Sequence, residues 1–464
     1  MPQAPRRDTG PSAWRGWWAT LSEAIDSRLW PVPVATVVVA VVIGILLPRL
    51  DLIVDPELPN AVDSVVFNGG AETARTVLSS IAGSLITATS LTFSLTVVAL
   101  QLASRQASPR VLRLFARDRQ VHWTLAAFLG TFAYSLTVLR SVRSEDDDIA
   151  EFVPRLSVTL GFVLTLASVI MLVFFLAHLA AQLRVETMLK EIHAETDATI
   201  DLIHARNADT PGYAGEITPT AEHEAAAVAD SSGFITRHDH DLLVRYAAEH
   251  RIVIQELHRV GENVVTGTPL ARWWPSGDDR TDREDTDRED VVRTIRRAYP
   301  IGYERTSAQD VDFGVQQILD ISLRALSPGV NDPTTAVHGL GHLSAITARL
   351  VAMSRLPAGL AGPDGQLCVI TMPRRQADDV DASLTPLRHY GAEHPAVVTR
   401  FVQAVSELSL VCASSEVDAA LVAQLDALDE QIRGTTADPA SNSAMLTLIA
   451  EERTRLAITG SSTS

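Results

Sequence analysis

Four long apolar stretches in the first 183 residues constrain the fold of this chain more than any other feature. They cover residues 30–48, 79–104, 121–139 and about 156–183. A helix of about 20 apolar residues crosses the roughly 30 Å hydrocarbon core of a bilayer, and each stretch reaches about that length. The first stretch lacks the small-residue cleavage site of a signal peptide, and further spans follow it. The sequence therefore predicts a four-helix transmembrane domain over residues 31–183.

Arginine is unevenly distributed among the segments that connect these spans. It is concentrated in the N-terminal tail and between the second and third spans, at Arg6, Arg7, Arg15, Arg28, Arg105, Arg110, Arg113, Arg117 and Arg119. The other two connections, 51–59 and 144–151, are acid-rich, although arginines flank the second. Because positively charged segments stay on the cytoplasmic side, we expect both termini and the large C-terminal half in the cytoplasm.

Helices are also predicted on both sides of the transmembrane domain. In the tail, residues 1–30, the segment 12–30 interleaves tryptophan with arginine. This pattern is typical of an interfacial helix, or of an aromatic belt before the first span. The fourth span is roughly 42 Å long as a helix, which exceeds the thickness of the hydrocarbon core. We therefore expect it to continue into a helical stalk over residues 184–210.

The second span carries a polar face. An apolar helix turns such a face away from lipid. In one interpretation the face lines a path for an ion or substrate, with a basic cluster at its inner mouth. In the other, the hydroxyls bond their own backbone carbonyls or allow close helix packing. The face comprises Ser80, Ser84, Thr87, Ser90, Ser94, Gln101 and Arg105, and the basic cluster Arg110, Arg113 and Arg117.

The C-terminal half divides into three segments by composition. Residues 211–276 mix short β-type runs with glycine turns and predict a small β-rich module. Residues 277–292 are dominated by alternating charges and predict a disordered acidic loop. Residues 293–464 have mainly helical periodicity and predict a helical domain. The expected fold class is a mainly α membrane protein, with four transmembrane helices followed by a cytosolic α+β region containing a small β module and helical hairpins.

The segment 326–343, LSPGVNDPTTAVHGLGHL, lies between two strongly helical stretches. Pro328 and Gly329 end the first helix, and Asp332 is a suitable N-cap for a second helix that begins at Pro333. Helix termination and capping explain this corner without any catalytic role. The alternative is a ligand pocket beside the corner, and the residues considered for either role are Arg305, Asp310, Ser327, Asn331 and Asp332.

Composition excludes several classes of function. The net charge of −17 argues against nucleic-acid binding, which needs a basic patch. Lys190 is the only lysine and lies outside any P-loop, Schiff-base or lipoyl-type setting. The two cysteines form no CxxC motif. Because the chain also has no evident catalytic constellation, we expect neither an enzyme nor a cofactor.

Two histidine pairs have spacings compatible with metal binding. His338 and His342 are four residues apart on a predicted helix, but the sequence places no third ligand beside them. His238 and His240 belong to the segment HDHD, which is more simply a polar turn. The sequence therefore predicts no metal site.

Three segments resemble a bacterial membrane-protein family catalogued as domain of unknown function 2254. They are residues 296–337, which contain SPGVNDPTTAV, the membrane motif at 99–136, and LRHYGAEHPAVV at 387–398. The resemblance implies a multi-pass protein of the bacterial inner membrane with a cytosolic C-terminal region. It supplies no activity. The positions that match the motifs have no assigned role and are Arg305, Asp310, Gly314, Asp320, Ser327, Pro328, Asn331, Asp332 and Pro333.

Two functional hypotheses remain open. The first is an oligomeric ion channel or transporter-like protein with a cytosolic regulatory or assembly domain, based on the polar face of the second span. The second is a membrane-anchored scaffold or sensor that binds a ligand or partner through its cytosolic domain. The expected partners are the lipid bilayer, further copies of the same chain and a small ion or ligand of unspecified chemistry.

Overall fold

The computed structural model describes residues 30–54, 66–106, 118–144, 151–217, 225–276, 288–412, 414–434 and 439–462. The chain divides into two units, Met1–Arg184 and Val185–Ser464. The predicted interfacial helix at 12–30 lies outside the described residues except for Trp30. The basic cluster Arg110, Arg113 and Arg117 also lies outside them, and for Arg105 only the backbone is described.

Among the described residues, the N-terminal unit contains four helices that are long and apolar enough to cross a membrane. They are α1 (Pro31–Val54), α2 (Ala71–Gln106), α3 (Arg119–Leu139) and α4 (Arg155–Gln182). The prediction of four membrane helices near the N-terminus is confirmed. Helix α3 is the most buried of the four because α1, α2 and α4 all pack against it.

Small residues bring α1 and α3 into close contact. A Cβ atom on Gly130 would lie 2.8 Å from Thr36 Cγ2, and one on Gly44 would lie 2.9 Å from Thr137 Cβ. Glycine permits this approach, which is typical of helix packing in membranes. The buried Tyr134 hydroxyl donates to the Ser157 carbonyl over 2.8 Å and joins α3 to α4.

The helix predicted over residues 184–210 is present as α5 (Val185–Asp209), but the expected continuity with the fourth span is wrong, because α4 ends at Gln182. One side of α5 is apolar and buried, including Met188, Leu189 and Ile192. Within the C-terminal unit this side packs against helices α8 (Val311–Ala325) and α9 (Pro333–Ala352). An apolar side needs such a partner, and residues 185–209 are therefore part of a folded core.

Further helices of the C-terminal unit surround two small sheets. Before α8 the chain forms α6 (His240–His250) and α7 (Arg288–Ala298). After α9 it forms α10 (Gln376–Gly391), α11 (Pro395–Val411), α12 (Ser415–Arg433) and α13 (Pro439–Ser462). Helix α7 includes residues 288–292, so the predicted disordered loop is wrong there, and its remainder at 277–287 lies outside the described residues.

The described strands form a five-stranded and a three-stranded sheet. The larger has the order β1-β5-β3-β8-β7 and the smaller the order β4-β2-β6. Strands β3 and β8 are parallel, and the other pairs are antiparallel. The strands are β1 (Ala225–Val228), β2 (Gly233–Ile235), β3 (Ile252–Glu256), β4 (Asn263–Val264), β5 (Pro269–Pro275), β6 (Ile301–Gly302), β7 (Gly359–Ala361) and β8 (Leu367–Ile370).

The predicted β-rich module at 211–276 is not self-contained. Strands β7 and β8 complete its larger sheet from residues 359–370, and β6 completes the smaller one. Ile254 of β3 and Val369 of β8 are register partners and share one buried core. The module and the following helices therefore form one folded unit, because neither sheet is complete without strands from the later segment.

The corner between α8 and α9 has the predicted geometry. Asp332 accepts hydrogen bonds from the backbone N–H groups of Thr334 and Thr335, and Pro333 occupies the first turn of α9. Asn331 has a φ of +50°, a left-handed conformation that asparagine tolerates better than most residues. The cap at Asp332, Pro333 in the first turn and the left-handed Asn331 therefore account for the geometry of this corner.

Candidate functional site: a cavity lined by histidine and arginine in the C-terminal unit

A cavity of about 140 Å³ lies inside the C-terminal unit. Its wall includes Glu256 at the end of β3 and Pro373 shortly after β8. Because β3 and β8 are parallel neighbours, both carboxyl ends meet at the same edge of the sheet. This edge is the usual ligand position in open sheets with parallel strands. The last turns of α5 and the start of α8 contribute further wall residues.

On one side of the cavity, two histidines surround a buried carboxylate. Glu256 Oε1 lies 3.0 Å from His240 Nε2 and 3.3 Å from His238 Nδ1. It also accepts a hydrogen bond of 3.0 Å from the Tyr299 hydroxyl. His238 precedes α6, His240 is its first residue, and Glu256 ends β3. The fold therefore brings together groups from three sequence segments.

Glu256 is ionised in this environment. Burial by itself would raise the pKa of the Glu256 carboxyl, but hydrogen bonds from His238 and His240 and the charges of both imidazoles hold that pKa far below its usual range. Burial raises the pKa of the Tyr299 hydroxyl, and the neighbouring Glu256 carboxylate raises it further. Tyr299 therefore remains a neutral hydrogen-bond donor to Glu256.

The other side of the cavity is built around arginines. Arg374 donates to both oxygens of Asp312 over 2.5 and 2.8 Å, and its Nε donates to Asp379 Oδ1 over 2.8 Å. Burial lowers the pKa of Arg374, but the bonds to Asp312 and the nearby carboxylates outweigh burial and raise it. Arg355 Nη1 lies 2.8 Å from Asp379 Oδ2 without hydrogen-bond geometry. Arg259 also lines the cavity, and its Nη2 donates to the Pro373 carbonyl over 3.2 Å.

Several polar atoms around this cavity are buried without a hydrogen-bond partner among the described residues. They are His238 Nε2, Arg259 Nε, and Nε and Nη2 of Arg355. A buried donor without a partner costs about 1–3 kcal/mol, and more when it is charged. Such groups in a folded protein indicate a water molecule, ion or ligand that completes their hydrogen bonds.

Of the candidate residues from the corner region, only Asp310 lines this cavity, and Arg305 pairs with it. Arg305 donates to both oxygens of Asp310 over 2.7 Å, and Asp310 lines the cavity. Asp310 also caps α8, because its Oδ1 accepts from Phe313 N over 3.1 Å. Burial raises the pKa of Asp310, although the bond from Arg305 opposes this effect. Ser327, Asn331 and Asp332 are not among the residues that line this cavity.

The polar face of α2 is exposed within a single N-terminal unit, from Ser80 to Gln101. Several of its hydroxyls donate to their own backbone. Thr87 Oγ1 bonds the Gly83 carbonyl over 2.9 Å, and Ser90 Oγ bonds the Ile86 carbonyl over 3.0 Å. These bonds lower the cost of placing a hydroxyl away from water. The described helices of one chain leave this face uncovered, and both interpretations of the face remain predictions.

The second histidine pair has a partner that the sequence did not indicate. His342 Nδ1 lies 2.9 Å from Nδ1 of His193, a residue of α5. Burial lowers the pKa of His342, and the neighbouring His193 and His338 lower it further. His193 and His342 are 149 positions apart and meet because α5 packs against α9. Helical periodicity in the sequence does not indicate which helices pack together.

Comparison with known proteins shows where this chain belongs. The family described as "Predicted membrane protein (DUF2254)" matches residues 26–407. The chain is a member of this family. The match includes all four membrane helices and every residue that lines the cavity.

Two mycobacterial relatives of this DUF2254 protein are described as uncharacterised. An uncharacterised protein of Mycobacterium tuberculosis (strain CDC 1551 / Oshkosh) is 31% identical over 390 residues, which is 84% of this chain and 73% of the relative. An uncharacterised protein of Mycobacterium bovis has the same identity and coverage. No solved structure matches the chain.

Sequence reasoning missed most of the residues around the cavity. It considered His238 and His240 only as a polar turn, and it overlooked Glu256, Arg355 and Arg374. The H-x-H spacing was the one available signal. The remaining groups come from strand ends and loops up to about 136 positions away, from His238 to Arg374, and no local pattern links them.

Proposed function

We propose that this DUF2254 protein is a membrane-anchored sensor whose C-terminal unit binds a small anion in the histidine- and arginine-lined cavity. The observation that carries the proposal is a set of buried polar atoms without a hydrogen-bond partner among the described residues. They are His238 Nε2, Arg259 Nε, and Nε and Nη2 of Arg355, whose Nη1 lies against the Asp379 carboxylate. An anion would accept hydrogen bonds from these groups and remove the free-energy cost of leaving them unpaired.

The chemistry of the cavity favours a phosphate or a carboxylate. Guanidinium groups bind the oxygens of both anions through charge-assisted hydrogen bonds. The N-terminus of α8 contributes Asp310 and Val311 to the same wall, where the Asp310 carboxylate already caps the helix. A volume of about 140 Å³ suits a small anion or one anionic group of a larger ligand. Arginines and carboxylates both line the wall, and the guanidinium donors left for an anion in the described part of the chain are those of Arg259 and Arg355.

Inorganic phosphate and acetate are suitable probes of the proposed site. We expect saturable heats of binding to the full chain in detergent for at least one of them, with chloride at equal ionic strength as the reference. Loss of one charged hydrogen-bond donor corresponds to about 1.5–3 kcal/mol, so Arg259→Met and Arg355→Met should weaken binding by roughly 10- to 150-fold.

Arg433→Met is the matched control for these variants. Arg433 pairs with Asp429 on the exposed side of α12, away from the cavity, and its replacement should leave the affinity unchanged. Arg259 is one-third exposed, so its variant tests the site even if Arg355→Met does not fold. Absence of saturable binding of either anion, or equal weakening by Arg433→Met, would reject the proposal.

We also propose a second function, in which copies of the chain assemble around α2 and its polar face lines a path for ions. The supporting observation is that this face is exposed in a single chain, although a membrane helix tends to turn polar groups toward protein or water. Arg110, Arg113 and Arg117 would then stand near the cytoplasmic mouth and favour anions. In this arrangement the C-terminal unit would regulate or assemble the channel.

Ion flux into liposomes tests the path. We expect protein-dependent chloride flux that Ser94→Leu and Gln101→Leu each reduce by about tenfold, because leucine removes a polar contact and narrows a lumen. Phe93→Leu is the control, since Phe93 is an exposed apolar residue on a different side of the same helix. Absence of flux in chloride and potassium salts, or unchanged flux in both polar-face variants, would exclude the path.

A further inference from the structure

We propose that His238, His240 and Glu256 form a binding site for a divalent transition-metal ion of the zinc class. One nitrogen of each imidazole and one carboxylate oxygen lie within 4.8 Å of one another. Around a tetrahedral zinc ion with bonds of roughly 2.0–2.1 Å, neighbouring ligand atoms are about 3.3 Å apart. The two separations from Glu256 Oε1, 3.0 and 3.3 Å, are close to that spacing.

Hydrogen bonds to the surrounding backbone fix the positions of both histidines in the absence of an ion. His238 N donates to Gln309 Oε1 over 3.0 Å, and the side chain of Asp239 caps α6 by accepting from Leu242 N over 3.1 Å. The imidazole rings of His238 and His240 meet edge to face at a centroid distance of 5.6 Å. A site built on a capped helix start and a strand end loses little entropy when it binds an ion.

The hydrogen bonds within this cluster leave one ring nitrogen unsatisfied. His238 is more than nine-tenths buried, and its Nε2 has no hydrogen-bond partner among the described residues. A purely structural histidine network would normally satisfy both ring nitrogens. The three side chains also line the cavity rather than a closed core, so an ion can reach them.

The set of donors selects the class of ion. Two imidazoles and one carboxylate match the three protein ligands of open zinc sites, in which water or a ligand takes the fourth position. Imidazole also suits cobalt and nickel, whereas calcium and magnesium prefer sites made of oxygen. Tyr299 would act as an outer partner, because its hydroxyl bonds Glu256 Oε1 and fixes the carboxylate. An anion in the cavity would fill the open position, and this last step alone rests on the proposed function.

The test uses the metal alone. The full chain in detergent is stripped with a chelator and dialysed against Zn²⁺, and bound metal is measured by emission spectrometry, with the visible bands of Co²⁺ reporting tetrahedral geometry. We expect one ion per chain. His240→Ala should lower the affinity by about 100-fold or more, and Tyr299→Phe, which removes an outer partner, by roughly tenfold.

His258→Ala is the matched control. His258 lines the same cavity but pairs with Glu262 over 2.9 Å, outside the proposed ligand set, so its variant should keep the affinity for zinc. His240 is at the edge of the cluster, and a thermal melt in detergent verifies that its variant is folded. Absence of stoichiometric zinc and cobalt binding, or equal loss in His240→Ala and His258→Ala, would overturn the inference. Phosphate titrations of the stripped protein report separately on the anion site.

Discussion

Replacing Asp379 with alanine is expected to lower the free energy of unfolding of the C-terminal unit by about 3–5 kcal/mol. The Asp379 side chain is fully buried, and its carboxylate lies 2.8 Å from both Arg355 Nη1 and Arg374 Nε. Without it, Arg355 loses its nearest anion and Arg374 keeps only Asp312. An uncompensated guanidinium inside a protein is strongly destabilising, because neither water nor a carboxylate neutralises its charge.

Urea unfolding of the full chain in detergent measures this effect, and hydrogen exchange in α10 localises it. Asp378→Ala is the control at the adjacent position. The Asp378 side chain is 42% exposed and lies 3.8 Å from Arg259, so its loss should change stability by about 0.5 kcal/mol or less. A loss below about 1 kcal/mol for Asp379→Ala would show that the buried ion pairs do not hold this region together.

Replacing Asp51 with alanine is expected to destabilise the N-terminal unit by about 2–4 kcal/mol. Helix α4 begins after Pro154, whose side chain supplies no cap. Buried Asp51 of α1 supplies the cap instead, because its oxygens accept from Leu156 N over 3.2 Å and from Ser157 N over 3.1 Å. Backbone N–H groups left without partners in an apolar environment are costly.

Thermal unfolding of the full chain in detergent, with hydrogen exchange at the start of α4, measures the loss of this cap. Asp51→Asn keeps one acceptor oxygen and should lose less stability than Asp51→Ala. Leu52→Ala is the control, because Leu52 follows Asp51 in the chain and is 60% exposed. If exchange at Leu156 and Ser157 is equally protected in Asp51→Ala and the wild type, Asp51 does not cap α4.

The membrane helices were predicted closely because their signal is local. A long apolar run has few stable conformations in a bilayer other than a helix, so length and composition suffice. The corner at Asp332 and Pro333 was predicted for a similar reason, since capping depends on neighbouring residues. The break between α4 and α5 was missed, because helical periodicity on both sides of Leu183 looks continuous in sequence.

The candidate site was much less accessible to sequence reasoning. The segment HDHD is polar and local, and nothing in it indicates that Glu256 and Tyr299 will lie against both histidines. Arg355 and Arg374 follow α9 and β8, where they resemble ordinary surface arginines. Their role around the cavity depends on the parallel pairing of β3 with β8, which closes a loop of more than 100 residues and has no short-range signature.

The sequence by itself determined that this chain is a mainly helical membrane protein, that it contains four apolar spans, and where its helices turn at the 326–333 corner. These features follow from local hydrophobicity and backbone preferences. Only the tertiary structure decided that α5 belongs to the C-terminal core, that strands from two distant segments complete one sheet, and that histidines, arginines and carboxylates meet in one cavity. The reason is that side chains far apart in sequence are brought together by packing, and their burial and charge interactions exist only in the folded chain.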